Sequence, residues 1–411
     1  MESMFSKVDI SNNSGEFWSP CEGISRRALE KISLLKSVLY LQLSEFKFRK
    51  RTFHLTQSSI FCLNSHSRPK FMAVIQWKLL EPFQETNHLK TRYGFRLGNQ
   101  NNYQEFYTED EQTLNNWLDA LSRVCILTEI EEEFKLIEKI GEGSFAEVYF
   151  AKGLRDAKDY AVKQILKRRL EKSNNGVERL IDEIKVMKEL KSEHIVKLHY
   201  VYESNRYLYL VLEYAGSKDL FQRITEKGPF PEEEAAKLIC RLFLGLRCMH
   251  SNNYVHRDIK LENLFITAES DLKIGDFGLA CSTKSKSMLD KCGSPGYVAP
   301  EMLRGKRYDS KVDVFSAGVV LFSLLSGTSP FQGEDPQEVL RKNEICKLVF
   351  EEENWEKVSS LAKSMVKELT QPNPSNRLSS SEALRHPWIL QMIPSLRRAS
   401  NSVSSRLIVR C

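Results

Sequence analysis

The first third of the chain is dominated by short runs of alternating or β-branched apolar residues. Such runs lie between about Leu34 and Phe106, and they include Val38–Leu43, Thr52–Leu55, Ile60–Leu63, Phe71–Trp77 and Tyr93–Leu97. Breakers such as Asn64-Ser65 and Gly98-Asn99 separate some of the runs. Runs of this length between turn residues predict a small antiparallel sheet.

A helix is predicted directly after this sheet. Glu109, Asp110 and Glu111 place negative charge in its first turn, where the helix dipole favours it. Apolar residues then recur at helical spacing and predict one buried face, formed by Leu114, Trp117, Leu118, Leu121 and Cys125. The acidic stretch Glu129–Glu133 predicts a hinge into a second domain.

The second domain is expected to begin with strands and to become mostly helical after about Asp219. Its predicted strands are Phe134–Ile140, Ala146–Ala151 and Tyr160–Gln164. The whole chain is therefore expected to be α+β. The predicted divisions are a mobile segment at 1–30, a first domain at 31–127, a linker at 128–133, a second domain at 134–389 and a basic, serine-rich tail at 390–411.

Composition is that of a soluble globular protein, with 411 residues, of which 41% are hydrophobic and 28% are charged. A net charge of +6 spread over this length gives no indication of nucleic-acid binding. Nine cysteines without a CxxC pair favour reduced thiols over a zinc site or disulfides. Without a signal-peptide pattern or an apolar run of about 20 residues, an intracellular location is expected.

A glycine-rich turn follows the first predicted strand of the second domain, in the sequence Gly141-Glu142-Gly143-Ser144-Phe145-Ala146-Glu147-Val148. Glycines at a strand–turn–strand junction let backbone N–H groups approach a phosphate. The alternative is a turn that only closes a hairpin. Ala146 occupies the third glycine position of GxGxxG, so the loop is expected to be slightly stiffer.

Lys163 ends the strand Tyr160–Lys163 and could bridge α- and β-phosphate oxygens, or simply be solvated. A carboxylate is needed to hold its ammonium group in place. Glu183 is favoured over Glu178 and Asp182 for this role. Its helix carries an apolar stripe whose register selects it, formed by Leu180, Ile181, Ile184, Met187 and Leu190.

The most specific signal is His256-Arg257-Asp258-Ile259-Lys260-Leu261-Glu262-Asn263, followed by Asp276-Phe277-Gly278 after the β-like run Leu272–Ile274. Phosphoryl transfer needs oxygen ligands for a metal and a group that orients the attacking hydroxyl. Asp258 suits the orienting base, and Asn263 and Asp276 supply oxygens of the kind that Mg²⁺ prefers. Lys260 can steady the transferred phosphate.

With these motifs in place, the chain resembles the eukaryotic Ser/Thr protein kinases from Phe134 to Ile389. The resemblance implies a bilobal fold with a β-rich lobe at about 134–215, a helical lobe at about 216–390, and ATP and Mg²⁺ as cofactors. The catalytic set it implies is Asp258, Lys260, Asn263, Lys163 and Glu183, with Asn263 and Asp276 as metal ligands. The nucleotide site it implies comprises Ile140, Gly141, Glu142, Gly143, Ser144, Phe145, Ala146, Val148, Ala161, Lys163, Glu213 and Ala215.

Within these kinases the chain is most similar to the calcium/calmodulin-dependent group, through Cys292–Tyr297 and His386–Ile389. The resemblance also implies that Arg377 pairs with Glu301 and that Leu212 is the gatekeeper residue. Phe315 stands where these kinases usually have a tryptophan. Because no catalytic position is lost, a kinase is favoured over a membrane-binding scaffold without chemistry. Protein substrates are the expected partners. Calmodulin binding has no support from the short tail, and no EF-hand loop is present.

Two hypotheses concern regulation and specificity. Arg257 usually implies a loop phosphate, and Asp290 is a candidate for supplying that charge constitutively. Asp219 and Glu262 stand where basophilic relatives read arginine, which predicts a preference for R-x-x-S/T. Ser400, within Leu396–Ser400, matches such a substrate but could equally be plain tail.

The first domain resembles a pleckstrin-homology (PH) domain, a small β-barrel or sandwich capped by a C-terminal helix that carries Trp117. Arg49 and Arg51, within Lys47–Arg51, stand where that family holds inositol phosphates. Gln42 occupies the lysine position of the first strand, and Lys36 is out of register. Three alternatives therefore remain for this domain: it binds a phosphoinositide, it binds a protein, or it docks on the kinase domain. Nucleic acid is not an expected ligand. A cytoplasmic protein that can be recruited to membranes is expected.

Overall fold

The structure is a computed structural model that describes residues 3–7, 17–44, 47–87, 90–99, 102–143, 145–173, 175–267, 271–350 and 353–396. Contacts between residues divide the chain into two compact units. The first comprises Met1–Ser173 and Leu198–Glu213, and the second comprises Asn174–Lys197 and Tyr214–Cys411.

The first unit is built mainly from strands. These are β1 (Ser19–Pro20), β2 (Leu35–Ser44), β3 (Lys47–Leu55), β4 (Ser59–Leu63), β5 (Pro69–Val74), β6 (Leu79–Asn87), β7 (Lys90–Asn99), β8 (Asn102–Thr108), β9 (Ile126–Leu127), β10 (Phe134–Glu142), β11 (Ala146–Gly153), β12 (Asp159–Leu166), β13 (Leu198–Glu203) and β14 (Tyr207–Glu213). Its helices are α1 (Arg26–Ile32), α2 (Glu111–Leu121) and α3 (Lys167–Glu171), with 3₁₀ turns at Met4–Lys7 and Ile130–Glu132.

The second unit is mostly helical, as predicted. Its helices are α4 (Gly176–Glu189), α5 (Leu220–Lys227), α6 (Glu232–Ser251), α7 (Pro300–Leu303), α8 (Lys311–Ser326), α9 (Pro336–Ile345), α10 (Ser360–Leu369), α11 (Ser380–Ala383) and α12 (Pro387–Met392). Short strands and 3₁₀ turns complete it: β15 (Lys218–Asp219), β16 (Tyr254–Val255), β17 (Leu264–Ile266), β18 (Leu272–Ile274), β19 (Cys281–Ser282), Leu261–Asn263, Lys286–Leu289, Glu353–Trp355 and Pro374–Asn376.

The N-terminal sheet contains the predicted strands and also strands that the sequence did not reveal. β2 to β5 and β6 to β8 form two antiparallel meanders, joined where Tyr40 of β2 pairs with Tyr107 of β8. β6 and β8 were missed because polar residues interrupt their apolar ones. The described pairings do not close a barrel, since β5 pairs with β4 and β1 and β6 with β7 and β9. Of the two expected forms, a barrel or a sandwich, a closed barrel is therefore not observed among the described residues.

Helix α2 covers this sheet through Trp117. The Asp110 side chain caps the helix by accepting from the Thr113 N–H at 2.7 Å. Trp117 is fully buried, stacks on Phe95 at a centroid distance of 5.8 Å and donates to Ser37 Oγ at 2.7 Å. Cys125, predicted on the same helical face, is buried but lies beyond the helix, which ends at Leu121.

The segment predicted as a hinge is fixed within the first unit. β9 pairs in parallel with β6 on one side and with β13 on the other, so that one sheet continues from β1 to β10. Ile130, in the following 3₁₀ turn, is only 2% exposed. Glu133 accepts a hydrogen bond from the Tyr202 hydroxyl at 2.7 Å. The hydrophobic core likewise runs continuously from Trp117 to Val211.

The core of the second unit forms around α6 and α8. Helix α8 is buried along nearly its whole length. The predicted pairing of Arg377 with Glu301 is confirmed, with Nη1 and Nη2 donating to the two carboxylate oxygens at 2.6 and 2.9 Å. The Arg377 guanidinium also lies over Phe315, 5.1 Å from the ring centroid. Within the described ranges, no helix combines the length and apolar character needed to cross a bilayer.

Candidate active site

The loop that carries Asp258 is anchored by hydrogen bonds to a buried carboxylate on α8. Asp313 Oδ2 accepts from the His256 N–H at 2.9 Å and contacts His250 Nε2 at 2.9 Å, and Oδ1 accepts from the Arg257 N–H at 2.8 Å. Burial alone would raise the pKa of Asp313, but the hydrogen bond and charge of His250 hold it below its usual range. Asp313 thus holds the loop in a fixed position even though Arg257 has a left-handed φ of 69°.

Three predicted catalytic residues meet at this loop. Asn263 Nδ2 donates to the Asp258 carbonyl at 2.9 Å and to its Oδ2 at 3.2 Å. Lys260 Nζ lies 3.2 Å from the same Oδ2. Asp258 is partly exposed, so its carboxylate is oriented by neighbours while remaining open to an incoming hydroxyl.

Ser294 joins this cluster from the following loop. Its Oγ donates to Asp258 Oδ1 at 2.8 Å and accepts from Lys260 Nζ at 2.8 Å. The carboxylate therefore has a donor on each oxygen, and the serine links it to the ammonium group. The hydroxyl of Ser294 is therefore part of the site.

Asn263 and Asp276 have the chemistry of a magnesium site. Because the Asn263 amide nitrogen is turned toward Asp258, its oxygen faces the other way and can serve as a ligand. Asp276 is exposed, with φ of 52°, and its Oδ1 accepts from the Gly278 N–H at 3.4 Å. One carboxylate and one amide oxygen suit Mg²⁺, which completes its shell with waters and phosphate oxygens.

A family model described as "Protein kinase domain" matches residues 134–389, which is more than half of the chain. The chain belongs to the protein kinase family. This kinase is 38% identical over 271 residues to a probable serine/threonine-protein kinase 2 of Plasmodium falciparum, covering 65% of this chain and 52% of that protein. It is 37% identical to calcium-dependent protein kinase 4 of Plasmodium berghei, covering 64% of this chain and 50% of that one.

A relative from Caenorhabditis elegans, named calcium/calmodulin-dependent protein kinase type 1, is 37% identical over 63% of this chain and 75% of its own length. The matched part spans about half the length of the two Plasmodium relatives. The protein kinase family uses ATP and Mg²⁺, in agreement with the predicted cofactors and with the oxygen ligands just described.

In the first unit of the kinase, the glycine-rich turn is the hairpin between β10 and β11. Gly141 pairs with Val148, and the Gly143 N–H donates to the Ala146 carbonyl at 2.8 Å. Ile140 and Phe145 are exposed, whereas Ala146 is buried. Ser144, predicted in the same site, lies outside the described residues.

Further predicted nucleotide-site residues lie on the neighbouring strands of this unit. Lys163 of β12 pairs with Val148 of β11, so the lysine lies one strand away from the glycine-rich turn. Ala161 pairs with Leu212 of β14, which ends at Glu213. The sheet thus brings the turn, Lys163 and the predicted gatekeeper strand side by side.

In the second unit, Glu183 is the buried carboxylate of α4, at 5% exposure, while Glu178 is exposed and Asp182 is half-buried. This agrees with the helix register that selected Glu183. Ala215, the last of the predicted nucleotide-site residues, is buried in the same unit. The pairing of Glu183 with Lys163 stays a prediction.

Arg257 is held by neutral groups. Its guanidinium donates to the carbonyls of Leu279 at 2.7 Å and Ser287 at 2.6 Å, and to the Tyr308 hydroxyl at 3.2 Å. Asp290 contributes its backbone carbonyl, which accepts from Tyr308 at 3.0 Å. Among the ion pairs of the described residues, none joins Asp290 to Arg257, so the hypothesis of a constitutive charge at Asp290 gains no support from the geometry.

The sequence interpretation assigned no catalytic role to Asp313 or to Ser294. Asp313 had a detectable signal, because it is an acid in the first turn of an otherwise apolar helix. No local sequence pattern could have revealed the contacts of Ser294, because its partners lie more than thirty residues away in the chain.

We expect Ser294→Ala to lower kcat/KM for a serine peptide by about tenfold or more, because hydrogen bonds to charged groups are worth about 1.5–3 kcal/mol. Ser294→Thr keeps the hydroxyl and should retain most activity. Steady-state kinetics on both variants checks this. Equal losses in the two variants would show that the hydroxyl contributes nothing.

Proposed function

We propose that the protein transfers the γ-phosphoryl group of ATP to serine and threonine hydroxyls of proteins. The observation that carries this proposal is the cluster of Asp258, Lys260, Asn263 and Ser294, in which Asn263 and Lys260 contact one carboxylate oxygen of Asp258 and Ser294 donates to the other. Asp258 orients the acceptor hydroxyl and takes its proton, and Lys260 lies beside it to steady negative charge.

Asn263 and Asp276 would hold Mg²⁺, which neutralises charge on the phosphates when bound. Lys163, held by Glu183, would position the phosphates. The competing reading, a membrane-binding scaffold without chemistry, has no need of Asp258. Nucleotide turnover therefore distinguishes the two functions.

We further propose a preference for arginine three residues before the acceptor. Asp219 and Glu262 are the supporting carboxylates, and Glu262 is exposed. Asp219 also caps α5, where its side chain accepts from the Gln222 N–H at 2.8 Å in a capping box. Burial raises the pKa of Asp219, while hydrogen bonds from backbone N–H groups oppose that rise.

Because Asp219 caps α5, the variant that tests this preference must keep an N-cap acceptor. Asp219→Asn keeps an N-cap acceptor and removes only the charge. On paired peptides that differ by Arg or Ala at this position, we expect wild type to favour arginine by about tenfold and Asp219→Asn to lose most of that ratio. A wild-type enzyme that is indifferent to the arginine would refute the proposal.

We propose that residues 31–127 form a PH-like recruitment module, followed by the linker 128–133 and the kinase domain 134–389. Two antiparallel meanders followed by a helix that buries Trp117 support this assignment. Arg49 and Arg51 lie on the same face of β3, because they are two residues apart on one strand. Burial raises the pKa of Cys62 to about 11, and the positive charges of Arg51, Lys70 and Arg49 oppose that rise.

Two other basic residues of this hairpin are engaged in ion pairs. Lys36 forms an ion pair with Glu30 at 3.5 Å and is paired with His54, far from Arg49 along the hairpin. Lys50 contacts Glu109 at 3.4 Å on the opposite face of the strand. Arg49 and Arg51 are thus available for a phosphorylated headgroup, which the arginine fork fits well.

We expect full-length protein to bind vesicles that contain a phosphatidylinositol phosphate and to lose that binding in Arg49→Ala/Arg51→Ala. Lys50→Ala is the matched control, since it removes a neighbouring cation from the other face. Binding should weaken as salt is raised, because surface charges are screened. If wild type ignores such vesicles, a protein ligand or docking on the kinase becomes the better assignment.

We place the protein in the cytoplasm, with recruitment to membranes through this module. Two relatives bear names that refer to calcium or calmodulin. Calmodulin binding has no support from the tail, which lacks a strong basic amphipathic helix. The predicted acceptor Ser400 lies outside the described residues.

A further inference from the structure

Helix α9 buries one polar side chain. Of its ten residues only Asn343 is fully buried, with no exposed surface. Buried helix positions are usually apolar, because an amide that leaves water must find new hydrogen-bond partners. The contacts of Asn343 are therefore informative.

Asn343 binds the backbone of the loop that follows Ser294. Its Oδ1 accepts from the Gly296 N–H at 2.8 Å, which also fixes the orientation of the amide. Its Nδ2 is buried and has no partner among the residues that the structure describes. A buried donor left without a partner is destabilising, so stability alone does not account for an asparagine here.

Gly296 occupies the third position of a type II turn. The Tyr297 N–H donates to the Ser294 carbonyl at 3.1 Å and closes the turn over Pro295 and Gly296. Gly296 has φ of 93°, and proline precedes it, as this turn type requires. The peptide between these two residues points in opposite directions in type I and type II turns. The bond to Asn343 holds it in the type II direction.

This turn begins at a residue of the catalytic cluster. The Ser294 hydroxyl lies 2.8 Å from Asp258 Oδ1 and 2.8 Å from Lys260 Nζ. At the other end of the turn, Ser316 Oγ donates to the Tyr297 carbonyl at 2.8 Å. Asn343 and Ser316 thus hold this turn in one conformation, and Ser294 is the first residue of that turn.

We propose that Asn343 is a positioning residue for phosphoryl transfer, which acts through Gly296 to set Ser294 against Asp258 and Lys260. This inference rests on the proposed kinase activity and extends it to α9, a helix that lies outside the catalytic motifs. It assigns the efficiency of peptide phosphorylation to one side-chain hydrogen bond.

The test compares full-length wild type with Asn343→Leu, which removes the acceptor and the unpaired donor together. We expect kcat/KM for a serine peptide to fall about tenfold, the effect of one lost hydrogen bond on geometry. The KM for ATP should be unchanged, and the melting temperature should move by less than about 4 °C. Asn343→Asp keeps an acceptor and should restore most of the peptide kcat/KM.

Leu340→Ala is the control on the same helix, since the Leu340 side chain is half-buried against a hydrophobic cluster that includes Val312 and Phe315 but forms no hydrogen bond to the turn. It should lower the melting temperature and leave the peptide kcat/KM near wild type. If it reproduces the kinetic loss of Asn343→Leu, packing of α9 and not the hydrogen bond is responsible, and the inference fails.

A second measurement is independent of activity. In protein labelled with ¹⁵N-glycine, the Gly296 amide should exchange with solvent at least about tenfold faster in Asn343→Leu. If wild type is active, either of two results would overturn the inference: a Gly296 exchange rate that is unchanged in Asn343→Leu, or a peptide kcat/KM that is the same in Asn343→Leu and wild type. A wild type that transfers no phosphate would instead refute the proposed function, while the exchange rate would still decide whether Asn343 anchors the turn.

Discussion

Asp258→Asn is expected to reduce phosphorylation of a serine peptide by about 10²–10⁴-fold, the usual contribution of a positioned general base. The reason lies in the geometry of the carboxylate. Oδ2 lies 3.2 Å from both Asn263 Nδ2 and Lys260 Nζ, and Oδ1 accepts from Ser294. Asparagine supplies one oxygen in place of two and has no site for the proton of the acceptor hydroxyl. Transfer of ³²P from Mg-ATP measures the loss.

The fold should survive this change, because Asp258 is partly exposed and the loop is anchored separately by Asp313. Melting temperature and binding of a fluorescent ATP analogue should therefore match wild type. Asp290→Asn is the matched control, as an exposed aspartate of the following loop that pairs with no arginine among the described ion pairs. Comparable losses in both variants would show that general negative charge, and not the position of Asp258, supports the reaction.

The catalytic loop could be predicted from the sequence because its chemistry is local. Asp258, Lys260 and Asn263 fall within six residues, so a short stretch of backbone brings them close together. The pairing of Glu301 with Arg377 spans a long stretch of chain and was predicted only through family resemblance. Its bidentate geometry in the structure confirms that expectation.

The N-terminal sheet was predicted less completely for a physical reason. Apolar runs reveal strands that are buried, and the prediction of β4 was accurate because that strand is buried along its length. β8 alternates between half-buried and exposed residues over its first half, and its polar side chains hid it. β9 is only two residues long, and strand pairing between distant segments cannot be deduced from local pattern.

The residues nearest the N-terminus show the same limit most clearly. Phe5 is fully buried and stacks on Trp77 at a centroid distance of 5.0 Å. The Met4 N–H and the Ser3 hydroxyl donate to the two carboxylate oxygens of Glu203 at 2.8 and 2.7 Å. The sequence interpretation described this region as mobile, because its own composition is polar. Its position depends on partners up to 200 residues away.

Glu203 also holds the buried Lys167, whose Nζ lies 2.6 Å from its Oε1. Their side chains are 0% and 11% exposed, respectively, so removal of one charge leaves the other buried without its partner. We expect Glu203→Leu to lower the free energy of unfolding by about 3–5 kcal/mol, measured by urea denaturation. Lys167→Met/Glu203→Leu should recover much of this loss, because replacing both ions by apolar groups removes the uncompensated charge.

Lys152 and Asp159 provide a control at the same distance with different burial. Their ion pair is also 2.6 Å long, but both side chains are almost half exposed. Asp159→Asn should therefore cost less than about 1 kcal/mol, since water solvates the lysine that remains. If both single substitutions cost the same, burial does not determine the strength of the Glu203 pair. If instead only Glu203→Leu is severe and the double variant recovers, the carboxylate that fixes Ser3 and Met4 is also what keeps Lys167 in the interior.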